Sequence, residues 1–395
     1  MSVRRWADVK TLTRPRRVFF LQPLIPHYRV PFFARLSRVD GLDLHLHASL
    51  EQPGSTLKSD GRAVTELGCV MHPCRALANG QLFWQSGLSI PKHFGRGDVA
   101  VIPGAPRFLS NYTAAIEARR RGVSLLYFGM GFGLGEDANA VSLKLRLRRL
   151  LAQRFDGVIL YTEREAEAYV AAGLPATKVC GMNNALDIEP MLNAQAAVDA
   201  VALEAFKARL DLVGRRVLLL VGRLTQKARG ALLVEALVHL PKDYVAVFIG
   251  GGELENELRA LAIRKGVEAR TRFVGPLYDE GQLAPYFLTA DLLVYPGSIG
   301  LSILHAFAYG LPVVTHGDEP AQFPEFAALS KGQNGDTFEA GDSGALASTV
   351  LRLTLDVPGL ERMREGARET VRHAWHIDSM VDRFVGAIER AGGLN

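Results

Sequence analysis

DLLVYPGSIGLSILHAFAYGLPVVTHG, residues Asp291 to Gly317, reads as strand, glycine turn, short helix, glycine stop and second strand, and that order decides the fold. Leu292 to Tyr295 is an apolar run suited to a strand buried on both faces, and Pro296-Gly297 ends it where a parallel sheet presents its carboxyl edge. Ser298-Ile299-Gly300 opens a predicted helix that runs to Tyr309. Gly310 supplies a left-handed C-cap, Pro312 blocks continuation, and Val313-Val314-Thr315 resumes the sheet. The unpaired N–H groups and positive dipole end of such a helix favour an anion above the sheet, and a phosphate is the natural guest. Strand, glycine turn and helix also recur wherever a doubly wound sheet packs, so this segment alone supports a phosphate site and plain packing equally.

Upstream of it, Val217 to Val221, Tyr244 to Gly250 and Arg272 to Gly275 have the composition of buried strands, with helical stretches between them. A separate series precedes these: Val18 to Leu21, Leu42 to Ala48, Val99 to Pro103, Ser124 to Phe128, Gly157 to Tyr161 and Lys178 to Gly181 as strands. Tyr28 to Val39, Phe108 to Arg121, Ser142 to Arg154 and Glu163 to Ala172 have the mixed spacing of covering helices. Alternation of this kind makes parallel sheets of βαβ units. The strand signal lapses after Asn184-Ala185-Leu186-Asp187, and Glu189 to Leu212 is alanine-rich and helical in character. The expected organisation is an α/β chain of two Rossmann-like parallel-sheet domains, 1–195 and 196–375, facing each other across a cleft. A helix over 376–395, after a break near Trp375 and His376, reaches back to the first domain. Ligands in such sheets sit at the carboxyl ends of the strands.

Composition agrees with a globular α/β protein and excludes several classes. The 395 residues are 48% hydrophobic, with 39 Gly and 19 Pro, and no run of 18 uninterrupted apolar residues suggests a membrane span. The amino terminus has positive charge but no apolar stretch before Val18 and no small-residue cleavage site, so the expectation is a cytoplasmic protein. Cys69, Cys74 and Cys180 lack metal-ligand spacing and read as incidental thiols. The net charge of +5 is unevenly distributed. Residues 1–17 carry Arg4, Arg5, Lys10, Arg14, Arg16 and Arg17 against Asp8. SLKLRLRRLLAQR, residues 142–154, alternates leucines with basic residues and has no acid. Two readings stand side by side: a helix attached to an anionic membrane surface on its inner face, or a solvated helix packed on its own sheet. Nucleic acid is not an expected partner, because the basic stretches lack interleaved aromatics.

The second half resembles the retaining glycosyltransferases of the GT4 family, which have the GT-B fold. The resemblance rests on Val221-Gly222-Arg223-Leu224, Gly250-Gly251-Gly252-Glu253, Phe273-Val274-Gly275, Tyr295-Pro296 through Gly310-Leu311-Pro312-Val313-Val314, and Lys331-Gly332-Gln333-Asn334-Gly335. It extends more loosely to the first half through Pro26-His27-Tyr28-Arg29, Tyr161-Thr162 and Asn184-Ala185-Leu186-Asp187. It implies a nucleotide-sugar donor, a glycan or lipid-linked acceptor, and no metal or other cofactor. A leaving nucleoside diphosphate develops negative charge, which cations and helix N-termini can stabilise. Arg223 stands where the family places its phosphate-binding arginine. The matching lysine position is Ala228, flanked by Lys227, which is favoured, and Arg229 in reserve; both are also readable as ordinary loop cations. Gly252, Glu253, Ser298, Gly300, Leu301 and Ser302 are the implied donor contacts, the last three through backbone N–H groups to its phosphates, and Val274 and Gly275 the implied nucleobase segment.

The chain also departs from the family. Many members carry two glutamates eight positions apart, touching donor sugar and ribose, and here those positions are Gly297 and His305. His305 either bonds a donor hydroxyl or is a core histidine. Glu325, in Phe323-Pro324-Glu325-Phe326, resembles a Pro-Glu found where the paired glutamates are missing; it is either a donor-site carboxylate or a cap. The family's His-Gly after the strand ending at Phe128 is replaced by Met130-Gly131, and a thioether can act neither as donor nor as base. His27, Arg29, Gly131 and Glu136 are the candidate acceptor-side residues. Three functional readings follow: a retaining, metal-independent sugar transferase in cell-envelope or polysaccharide biosynthesis, a catalytically silent nucleotide-sugar-binding scaffold, and a GT-B enzyme of another reaction type such as an epimerase. A dehydrogenase is excluded by Gln22-Pro23-Leu24-Ile25-Pro26, which stands where a glycine fingerprint would follow the first strand.

Overall fold

The structure, a computed structural model, describes residues 11–55, 57–132 and 149–393. Contacts divide the chain into two units, Met1–Asp187 with Ile377–Asn395, and Ile188–His376.

In the first unit seven parallel strands form one sheet: β1 (Thr11–Leu21), β2 (Asp40–Ala48), β3 (Val70–Met71), β6 (Val99–Pro103), β7 (Ser124–Gly129), β8 (Gly157–Leu160) and β9 (Val179–Gly181). Their spatial order is β3-β2-β1-β6-β7-β8-β9. β4 (Cys74–Leu77) and β5 (Leu82–Gln85) make a separate antiparallel hairpin between β3 and β6. The sequence reading did not anticipate β3 or this hairpin. Both are short, and β4 has three exposed side chains, so neither has the apolar pattern of a core strand. Val18, Phe19, Phe20 and Leu21 in β1 are fully buried. One face of the sheet is covered by helix Ile377–Gly392, whose Phe384 stacks on Phe20 with ring centroids 5.2 Å apart and meets Phe32 and Phe128 edge-on.

The second unit has six parallel strands: β10 (Arg216–Val221), β11 (Tyr244–Ile249), β12 (Thr271–Gly275), β13 (Leu292–Tyr295), β14 (Val313–His316) and β15 (Gly335–Phe338). The order β12-β11-β10-β13-β14-β15 is that of a Rossmann sheet, which reverses direction between β10 and β13. β15 was not read from the sequence, because Gly335-Asp336-Thr337-Phe338 offers one large apolar side chain. The helix expected from Ser298 to Tyr309 is shorter, Ser302–Ala308. Ser298 and Ile299 instead form a turn because acceptors outside the helix take their N–H groups: Lys227 O at 3.0 Å and Gln322 Oε1 at 2.7 Å. Gly310 takes the expected left-handed conformation, φ +66°. Asn334, within the Lys331–Gly335 motif, is buried and ties Ala328 O, Ser330 N–H and Thr370 Oγ1 together, an anchor for the loop that enters β15.

Candidate functional site

The switch point of the second sheet lies where β10 and β13 end, and glycines in the loops that follow the strands are what lets those loops meet there. A Cβ at Gly250 would fall 1.9 Å from Gly222 O, and one at Gly252 would fall 2.3 Å from Leu224 O. Gly222 N–H bonds Ile249 O at 2.9 Å and Leu224 N–H bonds Gly251 O at 3.0 Å. These contacts fix the loop from which Arg223 projects, exposed, above the sheet. Tyr295, at the end of β13, lies under Gly222; burial pushes its phenol up, and Arg223 pulls in the opposite direction.

The next cation is set by a one-turn 3-10 helix, Gln226–Ala228. Its Lys227 O accepts Ser298 N–H, and a Cβ at Gly297 would fall 1.8 Å from the same oxygen. Gly297 is therefore fixed by the approach of two backbones, which no glutamate at that position could share. The Lys227 side chain is exposed, with Nζ 5.8 Å from the Phe323 ring centroid. Arg229 is also exposed but has φ +49° at the start of helix Gly230–His239. Its charge helps to hold the His316 imidazole below its ordinary pKa, where burial is the larger cause.

Across the turn, Ser302 Oγ donates to Val221 O at 3.4 Å, tying the helix to the end of β10. Leu301 occupies the N-cap without a side-chain cap bond. Glu325 is buried, and a Cβ at Gly300 would lie 3.8 Å from its Oε2, so the carboxylate stands beside the turn that follows β13. Val274 and Gly275 are half-buried at the end of β12, where Gly275 O accepts Gly250 N–H at 2.9 Å; Glu253 is exposed beyond Gly252. Arg223, Lys227, Gly252, Gly275, Ser298, Gly300 and Ser302 are thus brought to one edge of one sheet.

His305 is placed differently. Its Nε2 lies 3.1 Å from Glu280 Oε2, Phe287 stacks on its ring at 4.6 Å, and Tyr309 donates to the same carboxylate oxygen at 2.9 Å. Burial pushes the Glu280 carboxyl up, but the bonds from His305 and Tyr309 outweigh it and leave the group below its ordinary range. Gln322 was missed by sequence reasoning although it organises the turn: it accepts Ile299 N–H and donates to Thr315 Oγ1 at 3.0 Å and His316 O at 2.9 Å. A glutamine in a loop gives no signal until its partners are known.

The first unit has its own switch point between β1 and β6. His27 is exposed in the turn after β1. Arg29 is buried; its Nη1 donates to Asn184 Oδ1 at 2.5 Å, and its guanidinium lies 5.5 Å from the Tyr161 ring centroid. Those partners come from the two other motifs of the first half. Gly131 N–H donates to Glu165 Oε1 at 2.7 Å and Gly131 O accepts Tyr169 Oη–H at 2.8 Å, so both of its backbone groups are held internally. Glu136, and the basic stretch from Ser142 to Arg148, lie outside the described residues. Among the described residues no group of three or more His, Cys, Asp or Glu could hold a metal ion, and no helix is long and apolar enough to cross a membrane.

Two Rossmann-like parallel-sheet units, the second with a pair of exposed cations over its switch point, define the GT-B class of glycosyltransferase fold. Residues 215–356 match the family model described as Glycosyl transferases group 1, and the chain is related to the GT4-type members of that family. It is 28% identical over 183 residues to the lipopolysaccharide core biosynthesis glycosyltransferase LpsE of Rhizobium meliloti (strain 1021), covering 45% of this chain and 52% of that protein. It is 28% identical over 247 residues to the D-inositol 3-phosphate glycosyltransferase of Xylanimonas cellulosilytica, covering 60% and 58%. The chain thus spans about half the length of the curated relatives it matches. Among solved structures, Anabaena Alr3699/HepE in complex with UDP superposes with a TM-score of 0.66 at 18% identity, covering 93% of this chain and 98% of that one. A glycosyltransferase from Rickettsia africae ESF-5 superposes with a TM-score of 0.69 at 12% identity, covering 96% and 100%.

Proposed function

We propose that this protein is a retaining, metal-independent glycosyltransferase that moves a sugar from a nucleotide sugar to an acceptor hydroxyl on a lipid-linked glycan or polysaccharide intermediate. The observation that carries the reading is the pair Arg223 and Lys227. Both are exposed, and each is fixed by a glycine-dependent backbone contact to the end of a neighbouring strand. As the glycosidic bond of the donor breaks, the departing diphosphate gains charge, and two cations already in place lower that barrier without reorganising. Backbone N–H groups of Gly300, Leu301 and Ser302 add to them, and Glu325 accepts a sugar hydroxyl. Transfer on one face of the sugar lets the leaving phosphate oxygen take the acceptor proton, so Met130 in place of a histidine does not remove a required base. The relatives support this reading: one is a lipopolysaccharide core biosynthesis glycosyltransferase, and a protein of the same fold is known in complex with UDP. The lipid-linked acceptor places the protein on the inner face of the membrane, held peripherally.

The test is a thermal-shift screen with UDP, GDP, CMP and dTDP and their sugars, with and without EDTA. Nucleotide release with lipid-linked glycan and the anomeric configuration of the product by NMR complete it. One nucleotide that stabilises the protein in EDTA and is released with retention is the expected result. An inverted anomer removes the retaining mechanism, and EDTA-sensitive turnover removes metal independence. Binding with no release for any acceptor selects the silent scaffold, which the Met130 substitution favours.

A further inference from the structure

The amino-terminal edge of the first sheet, at the other end of β1 from His27 and Arg29, carries a recess that the transferase chemistry does not use. Its origin is a bulge. Thr11 pairs with Asp40 but Arg16 with Leu42, so five residue steps of β1 pass two of β2. Pro15 within the bulge has no N–H to lose, and Gly41 opposite it, at φ +81°, lets the strands close with its Cβ position 3.6 Å from Leu12 Cβ. The recess encloses about 650 Å³ and is lined by Arg14, Arg16, Arg17, Arg96, Asp43 and Asp98.

The charges do not cancel. Asp98 is engaged by Arg17, Nη2 to Oδ2 at 3.0 Å and Nε to Oδ1 at 3.1 Å, and Asp43 lies 3.1 Å from His45 Nε2. Arg16 donates Nη1 to Gly97 O at 2.8 Å, while its Nε is buried with no partner. Arg14 and Arg96 are exposed and have no carboxylate partner among the described residues. The helices Val30–Leu36, Leu109–Arg120 and Ile377–Gly392 end on this edge, the last of them against Arg16, and each presents about half a negative charge there. Arg119 and Arg120, in the last turn of Leu109–Arg120, answer that helix locally, whereas Arg35 is paired with Asp187 and Asp378. Four guanidinium groups around two occupied carboxylates therefore leave room and charge for one more anion, and guanidinium forks bind the oxygens of phosphate in bidentate fashion.

We propose that this recess is a phosphate-binding site, taking the phosphate of an anionic lipid headgroup or of a soluble phosphate ester. It rests on the membrane part of the function proposed above only in its lipid form, and not on the sugar chemistry. Binding is read on the full chain in two arms: co-sedimentation with phosphatidylglycerol-containing against pure phosphatidylcholine vesicles, and thermal shift with inorganic phosphate and pyrophosphate. The variant is Arg14→Gln with Arg96→Gln, both exposed and both outside the transfer site. Its partition onto anionic vesicles is expected to fall roughly 30-fold. Loss in the vesicle arm identifies a lipid headgroup; loss of protection by pyrophosphate alone identifies a soluble ester. Wild-type protein that responds in neither arm, or a double variant indistinguishable from it in both, overturns the proposal. Nucleotide release with detergent-dispersed acceptor stays unchanged in the variant, so failure here and failure of the transferase reading are told apart.

Discussion

At the scale of single residues the candidate site separates exposed cations proposed to bind phosphate from a cation that shapes the chain. Arg223 and Lys227 are exposed and sit on loops whose backbones are already fixed, so their side chains are replaceable without loss of fold. Arg223→Met and Lys227→Met should each lower kcat/KM by about 100-fold or more while leaving the melting temperature near that of the wild type. Arg229 differs, because a non-glycine residue at φ +49° costs about 1 kcal/mol. Arg229→Gly should raise stability in urea and leave turnover within a few-fold; a collapse of activity matching that of Lys227→Met would move the phosphate role to Arg229. Gly297 carries a sharper consequence. Its Cβ position 1.8 Å from Lys227 O means that Gly297→Glu, which restores the carboxylate common in the family, should fail to raise activity. It should destabilise by about 3 kcal/mol through overpacking, as equilibrium unfolding would record.

At the scale of elements, most strands were legible because parallel sheets need continuous apolar runs: Val217 to Val221, Leu292 to Tyr295 and Val99 to Pro103 carry the pattern openly. What escaped was whatever tertiary contact decides. β15 and the β4–β5 hairpin are short or half-exposed, and the true start of the helix at Ser302 depends on Lys227 O and Gln322 drawing Ser298 and Ile299 into a turn. The site was legible to the same extent. Arg223 and Lys227 were singled out by the family resemblance, whereas Gln322 and the Glu280 partner of His305 come from elements distant in sequence and carry no such signal. Gln322→Leu should test the turn directly. It leaves the buried Ile299 N–H without an acceptor, a cost of about 1–3 kcal/mol, and loosens the segment beside the proposed phosphate site. The expected result is a raised KM for the donor, greater than any change in kcat. A second element-level consequence concerns helix Ile377–Gly392. Phe384 is fully buried against Phe20, Phe32 and Phe128, so Phe384→Ala should cost about 3–5 kcal/mol, measurable as a lower urea midpoint with an unchanged slope.

At the scale of the whole molecule, stability is linked to pH through a histidine pair in the first unit. His72 Nδ1 faces Ser86 O at 3.2 Å, a carbonyl that can only accept, so Nδ1 carries the proton and Nε2 is an acceptor. His47 Nδ1, 2.9 Å from that Nε2, must then be the donor, and both rings are neutral. Burial, then the repulsion a protonated His47 would meet from protonated His72 and His45, lower His47 from 6.5 to about 4; burial lowers His72 as well. A base whose folded pKa is depressed binds its proton more readily in the unfolded chain. Its contribution is therefore complete above pH 6.5, declines as pH falls, and is lost at about 4, with His47 contributing on the order of 3 kcal/mol. Acid also titrates carboxylates, so the wild-type curve alone does not isolate the pair. His47→Gln keeps a polar group against Phe19 and cannot titrate. The difference in unfolding free energy between wild type and variant, followed from pH 7.5 to 4.5, should shrink steadily below pH 6.5. A constant difference across that window would mean that His47 takes up its proton over the same pH range folded and unfolded, and the neutral pair would be wrong.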